Sequence, residues 1–431
     1  MFDRYAADRG RRGVRSAAAV VLLTALAACS GSPQPPEGAA WLSAGAGGHN
    51  SSAVAREAIV SPETAWSRTF GEPTPSPAVI ASTGQIFVAV DAPYCNLYGL
   101  DMESGRKRFC SNLGPAVTPP TTDSVANVYT GFAGESRSMN EHGQIRWSAR
   151  VYGTPRPAVD LKDGNVLVVT HIGQVNVLDT TSGQHSMPIL DLLPSPSYSD
   201  GPVEFGDPTA GVQDCADGGA ACPVAAAPAF DATSGTLYLV LWRAGAIAPQ
   251  LVSLQYTGGA NPTLTERWSS DLLPAAVSSS PVLSADAGTV YLADTDGNLL
   301  AFDTESGARR WAIPSVGGTD SPVVTADHLI IPSTGDNTHL RALRDTGESL
   351  ESAWDRYDLS QRGAMAVADS TLLQVVGGAG SQALVGLDVA TGDTLWTVGL
   401  PDDAGYATGV AVGPDGEVVV TSALGEVRVL R

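Results

Sequence analysis

Lysine is almost missing from this chain. Only Lys107 and Lys162 stand against 23 arginines, and 45 acidic residues outweigh all 25 basic ones. A formal net charge of −20 leaves no basic stripe, which excludes nucleic acid or an anionic bilayer surface as a partner held by charge. Long apolar runs are missing too. The longest, residues 17–28, is 12 residues, well short of the roughly 20 that a lasting membrane-spanning helix needs. Histidine is sparse and scattered (49, 142, 171, 185, 328, 339), with no His-x-x-x-His or mixed Cys/His spacing, so no metal site is assigned. No phosphate loop or nucleophile elbow occurs. A triad assembled from distant residues stays open at this stage, since its members need not be neighbours in sequence.

What is present begins at the N-terminus. Arg4, Arg9, Arg11, Arg12 and Arg15 precede the 17–28 run, which ends Leu26-Ala27-Ala28-Cys29. A basic stretch, a short apolar stretch and small residues before a cysteine form an export signal. The end of it resembles the lipobox of bacterial lipoproteins, which implies removal of residues 1–28 and lipidation of Cys29. An ordinary secretory signal with a chance cysteine is the alternative. Arg11-Arg12 has some twin-arginine character, but Gly-Val-Arg follows it, so the general and twin-arginine routes both stay open. Losing five Arg and two Asp with the signal takes the formal charge from −20 to −23. Residues 29–57, rich in Ser, Gly, Pro and Ala, read as a flexible tether.

With Cys29 set aside, Cys95, Cys110, Cys215 and Cys222 remain. Outside the cytoplasm an even remainder favours disulfides, of which four cysteines allow three connectivities. Cys95 and Cys110 open and close one hairpin, which favours pairing them across two strands and leaves Cys215 with Cys222 to pin a small loop. A free thiol is the alternative.

The body of the chain is repetitive. Leu-Ala-Phe-Asp-Thr-Glu-Ser-Gly-Ala-Arg-Arg-Trp (300–311) alternates apolar and polar residues on both sides of a bend, as two antiparallel strands do. Asp303 is placed to bond amides ahead of it, and Gly307 can take the positive φ that closes the turn. The spacing recurs at Asp388, Gly392 and Trp396, at Asp101, Gly105 and Phe109, at Asp179, Gly183 and Met187, and in part at Gly143 and Trp147. Measured along one slot, Trp66, Phe109, Trp147, Met187, Trp268, Trp311, Trp354 and Trp396 lie 38 to 43 residues apart, with one interval of 81. Residues 188–227 fill the long interval with Pro, Gly, Asp and Ser and read as an insertion.

Before each slot come three more short strands, clearest in 279–303, so each repeat of about 40 residues is one four-stranded antiparallel unit. Each unit starts near a proline or small residue (Pro77, Pro119, Pro157, Pro228, Pro281, Pro322, Ala364, Thr408), as an inner edge strand at a channel tolerates. The chain stops at Arg431 after three strands of its last unit, while residues 58–70, with Trp66, form a fourth strand lacking the other three. The expectation is an all-β, eight-bladed β-propeller over 58–431 whose N-terminal strand closes the last blade. The slot aromatics and Met187 are its structural wedges.

These residues resemble the pyrroloquinoline-quinone-type propeller repeat, whose hairpin is similar to Ala301, Phe302, Asp303, Gly307 and Trp311. With a lipobox and a ring of this length, the chain resembles BamB-like lipoproteins of the envelope. That resemblance implies a non-catalytic, lipid-anchored extracytoplasmic scaffold that binds protein, without a cofactor or metal and as a monomer. The same repeat occurs in quinoprotein dehydrogenases, so the alternative is a quinone enzyme or a sugar or quinone receptor using the central funnel. Those enzymes carry adjacent cysteines beside the quinone, and this chain has no Cys-Cys.

Three residues are candidates for partner binding. Arg156 falls near a channel mouth where Ser76, Ser280 and Ser321 hold the matching positions, and is read as an anion contact or, in so acidic a chain, a salt bridge. Tyr198 and Phe205 are aromatic anchors in the otherwise polar insertion. Asp294-Thr-Asp296-Gly297-Asn298 has some look of a calcium loop but lacks the downstream acidic ligand, and reads as a turn.

Overall fold

The computed structural model describes residues 40–114, 117–194, 207–314, 318, 320–333, 339–378, 381–401 and 405–431. The expected signal peptide, Cys29, Tyr198 and Phe205 lie outside these residues. The described chain is all β apart from short turns and a 3-10 helix at Val212–Asp217. No helix among the described residues is long and apolar enough to cross a membrane.

The strands assemble as consecutive antiparallel meanders. Five separate four-stranded sheets occupy residues 79–111, 121–150, 159–191, 229–272 and 282–314. The remaining strands form one twelve-stranded sheet in which three further meanders of four can be followed. Two of them share Leu350–Ala368, a single 19-residue strand that is the outer strand of one meander and then the inner strand of the next, and the third joins through a parallel bridge between Ala364 and Gly409. The last meander is completed from the other end of the chain, since Thr64–Thr69 pairs antiparallel with Glu426–Leu430. A β-propeller closed by its N-terminal strand is thus the observed architecture.

Burial explains why the sequence takes this form. Middle strands such as Asn165–Val169 (Asn-Val-Leu-Val-Val) are buried on both faces because each sheet is covered by a neighbour on either side. Outer strands such as Ile145–Arg150 alternate with solvent, Trp147 and Ala149 buried and Ser148 and Arg150 exposed. Each apolar cluster lies between successive sheets: Phe87 and Leu97 meet Val128 and Met139, Tyr129 and Trp147 meet Val166 and Leu178, and so on round the ring. Closure is apolar as well as hydrogen-bonded, for Val410, Val419 and Val429 of the last meander share a cluster with Ile80, Ile86 and Leu100 of the first.

The tryptophan slot couples each sheet to the next. Trp66 lies on Gly105, Trp147 on Gly183, Trp268 on Gly307 and Trp354 on Gly392, and a Cβ on any of these glycines would come within 2.5 to 2.6 Å of the indole. Each indole N–H donates to the carbonyl one residue after the turn aspartate: Met102, Thr180, Thr304 and Val389, at 2.8 to 3.1 Å. Trp311 instead donates to the Asp345 carboxylate at 3.2 Å. Phe109 packs on Gly143 with no donor to offer. Met187 departs from the pattern: the fourth strand of its sheet is Leu190–Asp191, and Met187 is half-buried just before it. The insertion therefore starts after residue 191 and not at 188.

Hydrogen bonds hold the carboxyls of Asp101, Asp179 and Asp303 below the usual carboxylate range. Ser104 and Arg108 donate to Asp101 and bring its carboxyl down to about 2, and Arg310 and Ser306 hold Asp303 lower still. Both disulfides, Cys95–Cys110 and Cys215–Cys222, are formed, with Cα atoms 5.7 and 5.0 Å apart.

Because the buried indole of Trp311 fills the gap between two sheets, Trp311→Ala is expected to lower stability by about 3–5 kcal/mol in denaturant titration. Gly307→Ala is expected to be destabilising by more than about 1 kcal/mol, since φ there is 71° and the new methyl strikes the Trp268 ring. Wild-type midpoints for both variants would contradict the coupling.

Candidate functional site

A propeller offers two mouths, one where the inner strands finish and one where they begin. In this chain the first is closed. Inner edge strands leave backbone donors facing the axis, and these need partners. Residues 41–54 supply them as a strap of small residues across the mouth. Ile80, Thr122, Phe230, Leu283, Val324 and Val367 donate their amides to the carbonyls of Trp41, Leu42, Gly48, His49, Ser51 and Ser52, at 2.7 to 3.1 Å. Six inner strands are thereby tied to one segment.

Local sequence explains the path. Ala46, Asn50 and Ser52 take positive φ, and Gly48 approaches Phe230 so closely that a Cβ would lie 2.8 Å from its carbonyl. The Asn50 amide donates to both Pro228 and Pro281 carbonyls at 3.1 Å, bridging two sheets. Ala53–Val54 adds a parallel strand beside Val367 and Ala368, and Ile59 then bonds Gly416 of the last meander. Trp41 is fully buried. Residues 40–57 are therefore not the flexible tether that their composition suggests, because backbone pairing outweighs the freedom of small residues.

The strap bonds neither the sheet of residues 159–191 nor the inner strand Ala407–Val412, and a cavity of about 390 Å³ remains between the strap and the inner-strand residues Thr122, Val159, Phe230, Val324 and Val367. Its wall is largely Ala, Ser, Gly and Val, with the hydroxyls of Thr121 and Thr122 buried and unpartnered and with Lys162 paired to Asp160 at 3.1 Å. This is a poor fit for an anionic planar quinone. The one lysine is neutralised by its neighbour, and no group of three or more His, Cys, Asp or Glu among the described residues is placed to hold a metal ion. Asp294 is likewise engaged locally, accepting from the amides of Asp296 and Asn298 and from the Asn298 side chain at 2.8 to 3.1 Å.

The opposite mouth carries the folded part of the insertion, residues 207–227. Its 3-10 helix is bounded by Gly211 and Gly218, both left-handed, and pinned by Cys215–Cys222. One buried histidine clamps it. His171 Nδ1 accepts from the Thr154 amide at 2.9 Å, which leaves Nε2–H to donate to the Ala210 carbonyl at 2.8 Å, while the His171 carbonyl accepts from Val224. Thr154 Oγ1 adds a bond to Pro208. Arg156 sits in the same cluster. It donates to the Ala225 carbonyl at 3.1 Å, its Nε is buried without a partner, and burial brings its guanidinium down to about 10. Among the described residues no carboxylate pairs with it, so the expected salt bridge is not found: the residue holds the insertion in place. His171, Thr154 and the strap were invisible to motif reading.

Seen against known proteins, this architecture defines a class first. The sheets, the turn aspartates and the docked tryptophans are those of the pyrroloquinoline-quinone-type repeat propellers. Residues 229–409 match the family described as outer membrane protein assembly factor BamB. Protein Rv3035 of Mycobacterium tuberculosis is 35% identical over 333 residues, covering 75% of this chain and 79% of that one. The chain belongs to this BamB-like repeat family. In fold it resembles BamB from Moraxella catarrhalis (TM-score 0.59, 17% identity, 86% of this chain and 99% of that one). It also resembles quinohemoprotein alcohol dehydrogenase from Comamonas testosteroni (TM-score 0.61, 13% identity, 91% and 80%).

Burial holds the His171 imidazole below its ordinary 6.5 in the folded protein. The sign follows: the stabilisation is complete above 6.5 and declines as the pH falls below it, because the unfolded state takes up the proton first. Proteolysis within 207–227 is therefore expected to quicken between pH 7.5 and 5.5, and to lose that pH dependence in His171→Gln. A pH-independent rate in the wild-type protein would contradict the clamp.

Proposed function

We propose that the protein is a non-catalytic, lipid-anchored scaffold of the cell envelope that binds other proteins through the mouth bearing residues 207–227. One observation carries this reading. The ring's two mouths are unequal, one sealed by the chain's own strap and the other carrying a disulfide-pinned, histidine-clamped loop on a rigid rim. A loop fixed in this way is preorganised for recognition, so that little ordering entropy opposes binding. Membership of a family named for outer-membrane protein assembly supports an envelope role, and the Leu26-Ala27-Ala28-Cys29 sequence supports an anchor at Cys29. On this reading the protein acts as a monomer and needs no cofactor.

A second reading, a small-ligand receptor or quinone enzyme, is favoured by the strap-mouth cavity and its two unpartnered threonine hydroxyls. The donor set described above weighs against the quinone.

Two experiments separate these readings. Cross-linking of the full chain in its native envelope is expected to capture partners that are lost when residues 208–225 are replaced by a short Gly-Ser turn, with the thermal midpoint of the ring retained. An unchanged partner set would remove the loop's role. Dye-linked alcohol oxidation by the purified protein supplied with pyrroloquinoline quinone and calcium is expected to be absent; steady turnover would overturn the scaffold reading.

A further inference from the structure

One side chain at the 207–227 mouth has hydrogen-bond donors left over. Arg156 precedes Pro157 at the start of the inner strand of the 159–191 sheet, where its amide donates to the Val169 carbonyl at 2.7 Å. The matching positions of the other repeats hold Ser, Thr, Ala or Gly. We propose that Arg156 is the anion-recognising residue of this mouth, and that it takes a carboxylate which a partner protein inserts beside the 207–227 loop. The proposal rests on the protein-binding reading above and names what that partner must present.

The geometry of the guanidinium carries the argument. Nη1 donates to the Ala225 carbonyl at 3.1 Å, which holds the guanidinium plane against the loop. That leaves the edge formed by Nε and Nη2, whose parallel N–H groups match the two oxygens of a carboxylate. No described residue bonds to this edge. Nε is buried without an acceptor, while Nη2 is not enclosed and the side chain as a whole is half-buried, so an anion reaches the edge from the Nη2 end. A buried cation with neither a counter-charge nor full hydrogen bonding is unfavourable in the free protein, and an arriving carboxylate relieves it.

The loop's own described carboxylates do not fill the place. Asp207 accepts from the Thr209 amide and hydroxyl at 2.9 and 2.6 Å, Asp214 accepts from the Ala221 amide at 2.8 Å, and Asp217 is exposed. The surroundings are rigid, since Pro208 lies against Gly134, His171 holds Ala210, and the Trp242 amide donates to the Pro223 carbonyl at 2.9 Å. A net charge of −20 repels anions at a distance. Arg156 therefore does not draw a partner in; it selects at contact one whose carboxylate is in register with the loop.

Titration of the full chain, labelled with 15N-arginine and held in detergent, tests the site. The Arg156 Nε–H resonance is identified by its loss in Arg156→Lys. Replacing chloride with acetate at constant ionic strength is expected to move this resonance along a saturating curve that the exposed arginines do not follow, with a Kd on the order of 10 mM, as two charge-assisted hydrogen bonds give. No movement up to about 0.2 M acetate would overturn the proposal. Phosphate binding more than about tenfold tighter than acetate would also overturn it, by assigning the edge to a phosphoryl group. Arg156→Lys keeps the charge and a donor for Ala225 but has no second parallel N–H. It is expected to lower cross-linking of partners in the native envelope by about tenfold, with residues 207–227 cut by protease at the wild-type rate. Faster cutting, with partners lost in proportion, would make Arg156 a positioning residue of the loop and contradict the proposal. Unchanged partners in Arg156→Lys alone would refute the anion contact, whereas unchanged partners after replacement of residues 208–225 as well would refute the protein-binding reading beneath it.

Discussion

Everything in this ring depends on one antiparallel pairing between residues more than 350 positions apart. Thr64–Thr69 supplies the missing outer strand to Val418–Ser422 and Glu426–Leu430, and Trp66 from that strand docks on Gly105 of the first sheet. Without it the last meander would have only three strands, an unpaired edge and no indole to bridge to its neighbour. A repeat protein in which each unit touches only the next is otherwise an open stack. Joining the ends turns the stack into a ring, and only a ring has a channel and two distinct mouths.

The strap is the second consequence. Once the ring is closed, the inner strands turn backbone donors toward an axis that a side chain cannot fill alone, and a segment of Ser, Gly, Ala and Asn meets six of them in turn. Its small residues, which suggest looseness in isolation, are what let the backbones come close. The other mouth is left to the 207–227 loop, whose shape is set by a disulfide and by His171 in its Nε2–H form. Sealing one mouth and furnishing the other gives the molecule a front and a back, and a scaffold reading follows more naturally from that asymmetry than a catalytic one.

Legibility in the sequence followed repetition. The Asp, Gly and Trp spacing recurs often enough that the four-stranded units, the ring and its closure by 58–70 could be read directly, and hairpin geometry favoured Cys95 with Cys110, which left Cys215 with Cys222. Features that occur once were not legible. Met187 occupies the right slot, yet the fourth strand forms three residues later at Leu190–Asp191. Arg156 was noticed for its position at the mouth, but its partner is a backbone carbonyl that no pattern marks. His171 acts through two ring nitrogens and its own carbonyl on three separate segments, an arrangement that only tertiary structure brings together. For residues 40–57 composition pointed the wrong way, since it records what a segment is made of and not which unpaired amides lie within its reach.

The closing pair can be tested directly by hydrogen exchange followed by mass spectrometry. If the ring is locked as described, peptides covering 64–69 and 426–430 will exchange together, as slowly as central strands such as Asn165–Val169 and only through global opening. Exchange of 64–69 at the rate of a free peptide, with the central strands still protected, would show that the ends do not pair and that the ring is open.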